Sequence, residues 1–144
     1  MRRLIWLVAA GAVGALALAL SAASMSAQVW TAALSSGQEV PKQVVRDTAA
    51  HGLFKGTLTG HTLKWRLTFA KLTGPAMQAH IHKAAKGKSG AIVVPLCAPC
   101  KNGQKGTSTI SSALIKDFSK HLLYVNVHTT KNPQGEIRGQ LAKG

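Results

Sequence analysis

Thr62-Leu63-Lys64-Trp65-Arg66-Leu67-Thr68-Phe69 is the stretch on which the reading of the chain turns. Side chains alternate across a β-strand with a period of two, so Leu63, Trp65, Leu67 and Phe69 share one face. That face is a candidate core. Gly60-His61 just before it reads as a turn, and His51 to Leu58 alternates in turn, with Leu53 facing away from Phe54. Val29 to Leu34 alternates loosely and stops at Ser35-Ser36-Gly37, a turn signal. Met77 to His82, Ala91 to Leu96, Thr107 to Ser111, Leu122 to Thr129 and Glu136 to Leu141 complete the predicted strands. Ala113 to Lys120 has apolar residues at 114, 115 and 118 and reads as a short helix. About eight short strands with almost no helix predict an all-β antiparallel sandwich or Greek-key barrel.

The chain opens with a segment of a different kind. Arg2 and Arg3 precede an apolar run from Leu4 to Leu20, and Ser21 to Ala27 is rich in Ser and Ala. This is the pattern of a signal peptide, an apolar helix cleaved near Ser26 or Ala27. The alternative is an uncleaved anchor, the only route by which a membrane would be a partner. No cysteine follows the run to carry a lipoprotein anchor. The expectation is a secreted protein, or a periplasmic one where an outer membrane is present, with residues 1–27 as leader and 28–144 as one domain. The formal net charge is +14; losing Arg2 and Arg3 lowers it by two. The lysines are scattered from Lys42 to Lys143 and are not interleaved with base-stacking aromatics, so nucleic acid is not expected. Such a surface attracts anionic polymers or headgroups weakly and keeps the protein soluble.

Three predicted strands carry polar rows. His80 and His82 share a face, opposed by Ala79 and Ile81; Tyr124, Asn126 and His128 share one, opposed by Val125 and Val127; Glu136, Arg138 and Gln140 share one, opposed by Ile137 and Leu141. Thr130-Lys131-Asn132-Pro133-Gln134-Gly135 is a loop sequence that makes an antiparallel hairpin of the last two. If both apolar faces enter one core, one allowed register sets His128 opposite Glu136, Asn126 opposite Arg138 and Tyr124 opposite Gln140. The plain account of the rows is the wet side of a sheet. Elsewhere the surface is Lys, Ser and Thr, so the choice of residues points instead to a polar cluster with Glu136 and Arg138 hydrogen-bonded, or to a binding surface.

Several motifs, taken in order along the chain, resemble the CHRD domain first recognised in chordin. They are Leu34-Ser35 with Gly37-Gln38-Glu39-Val40-Pro41, Ala79-His80-Ile81-His82, Gly90 with Val93, Val94 and Leu96, Leu123-Tyr124-Val125-Asn126-Val127-His128-Thr129, and Asn132-Pro133 with Gly135-Glu136-Ile137-Arg138-Gly139-Gln140-Leu141. The sequence departs from the family at Lys42, where a second proline is common, and at Lys83, where glycine is usual. The resemblance implies an extracellular, immunoglobulin-like β-barrel over nearly all of residues 28–144. It implies no activity, and the function must be argued from the site.

Two constellations carry chemistry. His80, His82 and His128 offer imidazoles, which suit copper and zinc, and alternate histidines on a strand supply two ligands from one face. The same three rings would otherwise be hydrogen-bonded to Glu136, Asn126 or backbone. The His-x-His strand is similar to that of Cu/Zn superoxide dismutase, but there is no bridging histidine and aspartate set, and Asp47 and Asp117 lack the matching context. Cys97-Ala98-Pro99-Cys100 is a C-x-x-C motif that runs into Lys101-Asn102-Gly103, a loop sequence. In an exported chain it reads as a local disulfide; the alternative is a thiol–disulfide oxidoreductase. Nothing else in the sequence suggests an enzyme. The expectation is a non-catalytic module acting on an envelope or extracellular protein or an anionic polymer, with copper or zinc binding as the alternative. Its binding surface would comprise His80, His82, Tyr124, Asn126, His128, Glu136 and Arg138. Glu39, in the opening motif, is expected to pair with a lysine or arginine or to cap a turn.

Overall fold

Gly60, with φ of +57°, turns the chain between β2 (His51–Thr59) and β3 (Thr62–Ala70), and these two strands pair in register along their whole length. In the computed structural model residues 25–43 and 49–144 are described. The leader to residue 24, with its expected helix, and Asp47 lie outside them. Among the described residues no helix is long and apolar enough to cross a membrane.

The remaining elements are β1 (Gln28–Ser35), β4 (Ala76–Lys83), β5 (Ala91–Cys97), β6 (Gln104–Thr109), α1 (Ser112–Ser119), β7 (Leu123–Thr129), β8 (Ile137–Gln140) and β9 (Ala142–Lys143). All pairings are antiparallel, in the order β5-β4-β7-β8-β1-β2-β3-β6, with β9 added to β1. The two end strands, β5 and β6, approach one another, so the sheet is a nearly closed barrel. The core is the set of inward faces: Trp30, Phe54, Leu63, Trp65, Leu67, Ile81, Val125, Val127 and Ile137 are all buried there, and Phe69 packs against them partly buried.

One strand departs from the sequence expectation by more than one residue at its ends, and one further strand is added. The sixth strand runs over Gln104–Thr109 rather than 107–111. Its residues show no apolar alternation because the neighbouring strand fills the space: the Trp65 indole lies where a side chain at Gly106 would sit. Ile110 then turns into the core, and Ser111 caps α1, its hydroxyl accepting from the Leu114 amide at 3.3 Å. β9 is a two-residue strand with no alternation to announce it. The helix expected over 113–120 is present as α1, and its Phe118 packs on Trp30 with ring centroids 5.1 Å apart.

Leu53 and Phe54 test the facing directly, being 48% and 0% exposed. Phe54→Ala is expected to cost about 3–5 kcal/mol in urea unfolding, and Leu53→Ala no more than ~0.5 kcal/mol. Equal losses would contradict the register of β2.

Candidate metal centre in a buried polar layer

The expected hairpin register is realised where β7 and β8 pair: Tyr124 faces Gln140 and Asn126 faces Arg138. On the other side of β7, His82 pairs with Tyr124, His80 with Asn126 and Gln78 with His128. The three polar rows therefore form one continuous layer on β4, β7 and β8. It is not a wet face. All seven of the residues expected to make a binding surface are between 1% and 7% exposed.

Two loops cover the layer. The 3-10 turn Ser36–Gln38 leads to Glu39, which lies buried against Asn126, and residues 84–90 fold over from β4. Ser89 Oγ donates to the Val40 carbonyl at 2.6 Å and so joins the two loops. Arg138 Nη2 donates to the Lys88 carbonyl at 2.6 Å, and Gln140 Nε2 donates to that of Ala84 at 3.0 Å. Gly90 is required where the second loop rejoins the sheet, since a Cβ there would run into the Lys83 carbonyl.

Within the layer three histidines converge. Their ligand atoms all lie within 4.8 Å of one another. His82 Nδ1 faces the Gly90 carbonyl at 3.0 Å, and His128 Nδ1 faces the Pro133 carbonyl at 3.0 Å. A carbonyl only accepts, so each Nδ1 carries the proton and each Nε2 keeps its lone pair. His128 Nε2 lies 3.2 Å from His80 Nδ1. His82 Nε2 is buried with no partner. Burial holds all three rings below the ordinary imidazole range, His80 at about 4, where the neighbouring His128 and His82 lower it further. The lone pair of His82 Nε2 is free and that of His128 Nε2 accepts from His80 Nδ1; a metal ion requires such unprotonated nitrogens and would take the place of the His80–His128 bond.

A stack of planes backs the cluster. The His82 ring lies on Tyr124 at 4.8 Å and 10°, and the Arg138 guanidinium lies over the Tyr124 ring at 3.4 Å from its centroid. Tyr124 also accepts, through its hydroxyl, from the Gly90 amide at 3.2 Å, so the residue under His82 holds the carbonyl that orients it.

Of the bonds expected for the histidines, those to backbone are present on His82 and His128 and those to Glu136 or Asn126 are not; Glu136 and Arg138 are both hydrogen-bonded, but not to one another. Glu136 is drawn instead into the 130–135 loop, where it accepts from the Thr73 amide (2.6 Å), Thr73 Oγ1 (2.8 Å), Thr129 Oγ1 (2.6 Å) and Asn132 Nδ2 (3.0 Å). Burial alone would raise its pKa, but these donors outweigh burial and hold the carboxyl below the usual range. Glu39 is the opposite case. Burial pushes it up to about 8, with Arg138, the bond from Asn126 Nδ2 at 3.3 Å and one from the Val40 backbone offsetting only part of the effect. No ion pair is present between Glu39 and a cation among the described residues, although its amide does close the 3-10 turn. Glu39 is thus a member of the layer that sequence reasoning left out, and so are Thr73 and Asn132. The one signal for Glu39 was its place in the opening motif.

Lys83 prolongs β4 by one pair and bonds Asp117 at 2.8 Å, which accounts for Asp117 as a structural residue. Cys97 and Cys100 form a disulfide, with Cα atoms 5.1 Å apart. Cys97 ends β5 and the chain runs on into β6, not a helix, so the thiol-activating helix N-terminus of an oxidoreductase is absent from this motif. The bridge borders a cavity of about 750 Å³ whose lining includes Met77, Ala98, Pro99, His128 and Pro133.

The profile of the CHRD domain matches residues 30–141. The chain belongs to the CHRD domain family. No curated protein and no solved structure matches it. The CHRD fold is a non-catalytic structural or binding domain, and no catalytic machinery is evident among the described residues.

Glu39 sets a pH slope of known sign. A carboxyl raised from 4.5 to about 8 in the folded state withdraws stability as pH rises through that window. The depressed imidazoles act in the other direction, withdrawing stability as pH falls below their ordinary 6.5. The difference between the parent and Glu39→Gln isolates the first effect: the variant should gain on the parent between pH 5 and pH 8 in urea unfolding. A difference that is flat with pH would show Glu39 ionised throughout. Replacing both cysteines by serine should cost only about 2 kcal/mol or less in the same assay, because the bridge closes so short a loop.

Proposed function

We propose that this CHRD domain is exported and works outside the cytoplasm as a non-catalytic binding module whose ligand is a copper or zinc ion held by His80, His82 and His128. The observation that carries the reading is the convergence of three neutral imidazoles, two of them oriented by backbone carbonyls so that Nε2 faces the cluster. His82 Nε2 is buried without a partner, which leaves one lone pair of the cluster free for an ion. The site's fit to a metal rests on the donor set: imidazole suits both ions, and the rings are already in the unprotonated state that binding needs.

Export is supported by the cationic start, the apolar run and the small-residue tail of residues 1–27, by the disulfide, and by the generally extracellular setting of the family. A protein or anionic-polymer partner is a second reading, favoured by the cationic exterior. It must use that exterior, because the polar layer is covered by its own loops.

Metal content of the untagged protein, measured after dialysis against copper or zinc, is the test. One ion per chain is expected in the parent and none in the His80→Ala/His82→Ala/His128→Ala variant, with circular dichroism checking that the variant is folded. A parent without metal, or a folded variant that retains it, would rule the site out.

A further inference from the structure

The charge balance of the histidine cluster says more than that a metal binds. Among the described residues the cluster contains imidazoles alone; no carboxylate or thiolate joins it. Glu136 has its oxygens committed to Thr73, Thr129 and Asn132. Cys97 and Cys100 are tied to one another. A fixed positive charge stands behind His82: Arg138 stacks on Tyr124, which stacks on His82. An ion entering this buried space gains no anionic ligand and meets a cation behind one of its ligands. The desolvation cost of an ion grows with the square of its charge, so a divalent ion loses about four times what a monovalent one loses in such a site. Zinc ordinarily answers that cost with thiolate, carboxylate or bound hydroxide.

The approach to the cluster adds an independent observation. The 750 Å³ cavity reaches His128 from outside, and Met77 lines it. Met77 sits at a register shift where two residues of β4 span one step of β7, and it is 49% exposed, an unusual setting for an apolar side chain on this strand. The shift re-aims its thioether toward the cavity that His128 shares. A thioether is a soft, uncharged donor that favours monovalent copper and does little for zinc.

We propose that the His80–His82–His128 site selects monovalent copper over divalent zinc, and that the ion reaches it through the cavity lined by Met77 and His128. The proposal rests on the metal reading above and sharpens it. An uncharged donor set would hold the smaller charge, and Met77 would present a soft ligand on the way in.

The untagged protein is titrated with copper(I) under ascorbate, without oxygen or thiols, in competition with the chromogenic chelator bicinchoninate, and separately with zinc against a zinc indicator. The expected result is one copper(I) per chain held at least ~10-fold more tightly than zinc. The Cys97→Ser/Cys100→Ser variant should bind copper equally, which places the ion away from sulfur of the bridge. Met77→Leu, at an exposed position that leaves the fold intact, should slow copper(I) uptake in stopped flow by several-fold and leave zinc uptake unchanged. Zinc held as tightly as copper(I), or more so, overturns the selectivity while leaving a metal site in place. Neither ion bound overturns the metal reading as well. Unchanged copper uptake in Met77→Leu overturns the proposed route.

Discussion

The paired strands β4, β7 and β8 are buried on both faces, and most of what is distinctive in this protein follows from that constraint. Their odd positions, Ala79, Ile81, Val125, Val127 and Ile137, enter the barrel core. Their even positions lie beneath the Glu39 segment and the 84–90 loop. A polar group so enclosed must be partnered or be left at a cost of about 1–3 kcal/mol. Three are partnered by carbonyls of the covering loops, which ties those loops down: Gly90, Lys88 and Ala84 each accept from the layer they cover. The atoms left over, His82 Nε2, Glu39 Oε1, Asn126 Oδ1 and Arg138 Nη1, cluster in the same layer and set its chemistry.

Two carboxyls in this layer show how donors, rather than depth, decide charge. Glu39 and Glu136 are 2% and 1% exposed. Glu136 accepts four hydrogen bonds and stays below the carboxylate range; Glu39 accepts fewer, from Asn126 and the Val40 backbone, and is pushed well above it. The difference traces to the neighbouring loops. Thr73, Thr129 and Asn132 arrive together where the 130–135 loop folds back on the chain before β4. Gly135 makes this passage possible, with φ of +127° and no room for a Cβ, which would lie 2.5 Å from the Asn126 amide and 2.8 Å from Glu39 Oε2. One glycine thus keeps the two carboxyl environments adjacent but distinct.

Where alternation was strong, the sequence was a good guide. Leu63, Trp65 and Leu67 are buried as their spacing predicts, and the Asn126–Arg138 and Tyr124–Gln140 pairs follow from matching apolar faces across one hairpin. Where a neighbour supplied the packing, it was silent: Gly106 makes β6 legible only once Trp65 is seen above it. The polar rows were visible, but their burial was not. Alternation tells which residues share a face, and it carries no information about whether another segment will cover that face. Glu39 lies 87 residues from Asn126, its hydrogen-bond partner in the layer, a separation that no local pattern spans.

By itself the sequence determined the all-β class, the facing of each main strand, the family and the three histidines, because each of these follows from local periodicity or from motifs of a few residues. The tertiary structure alone decided that the histidines meet, that they are neutral, and that Nε2 of His82 and of His128 keeps its lone pair. Those properties depend on the carbonyls of Gly90 and Pro133 and on the exclusion of water by two loops. Backbone carbonyls are common to every residue and leave no mark in a sequence; only their placement in space makes these two into the groups that orient a site.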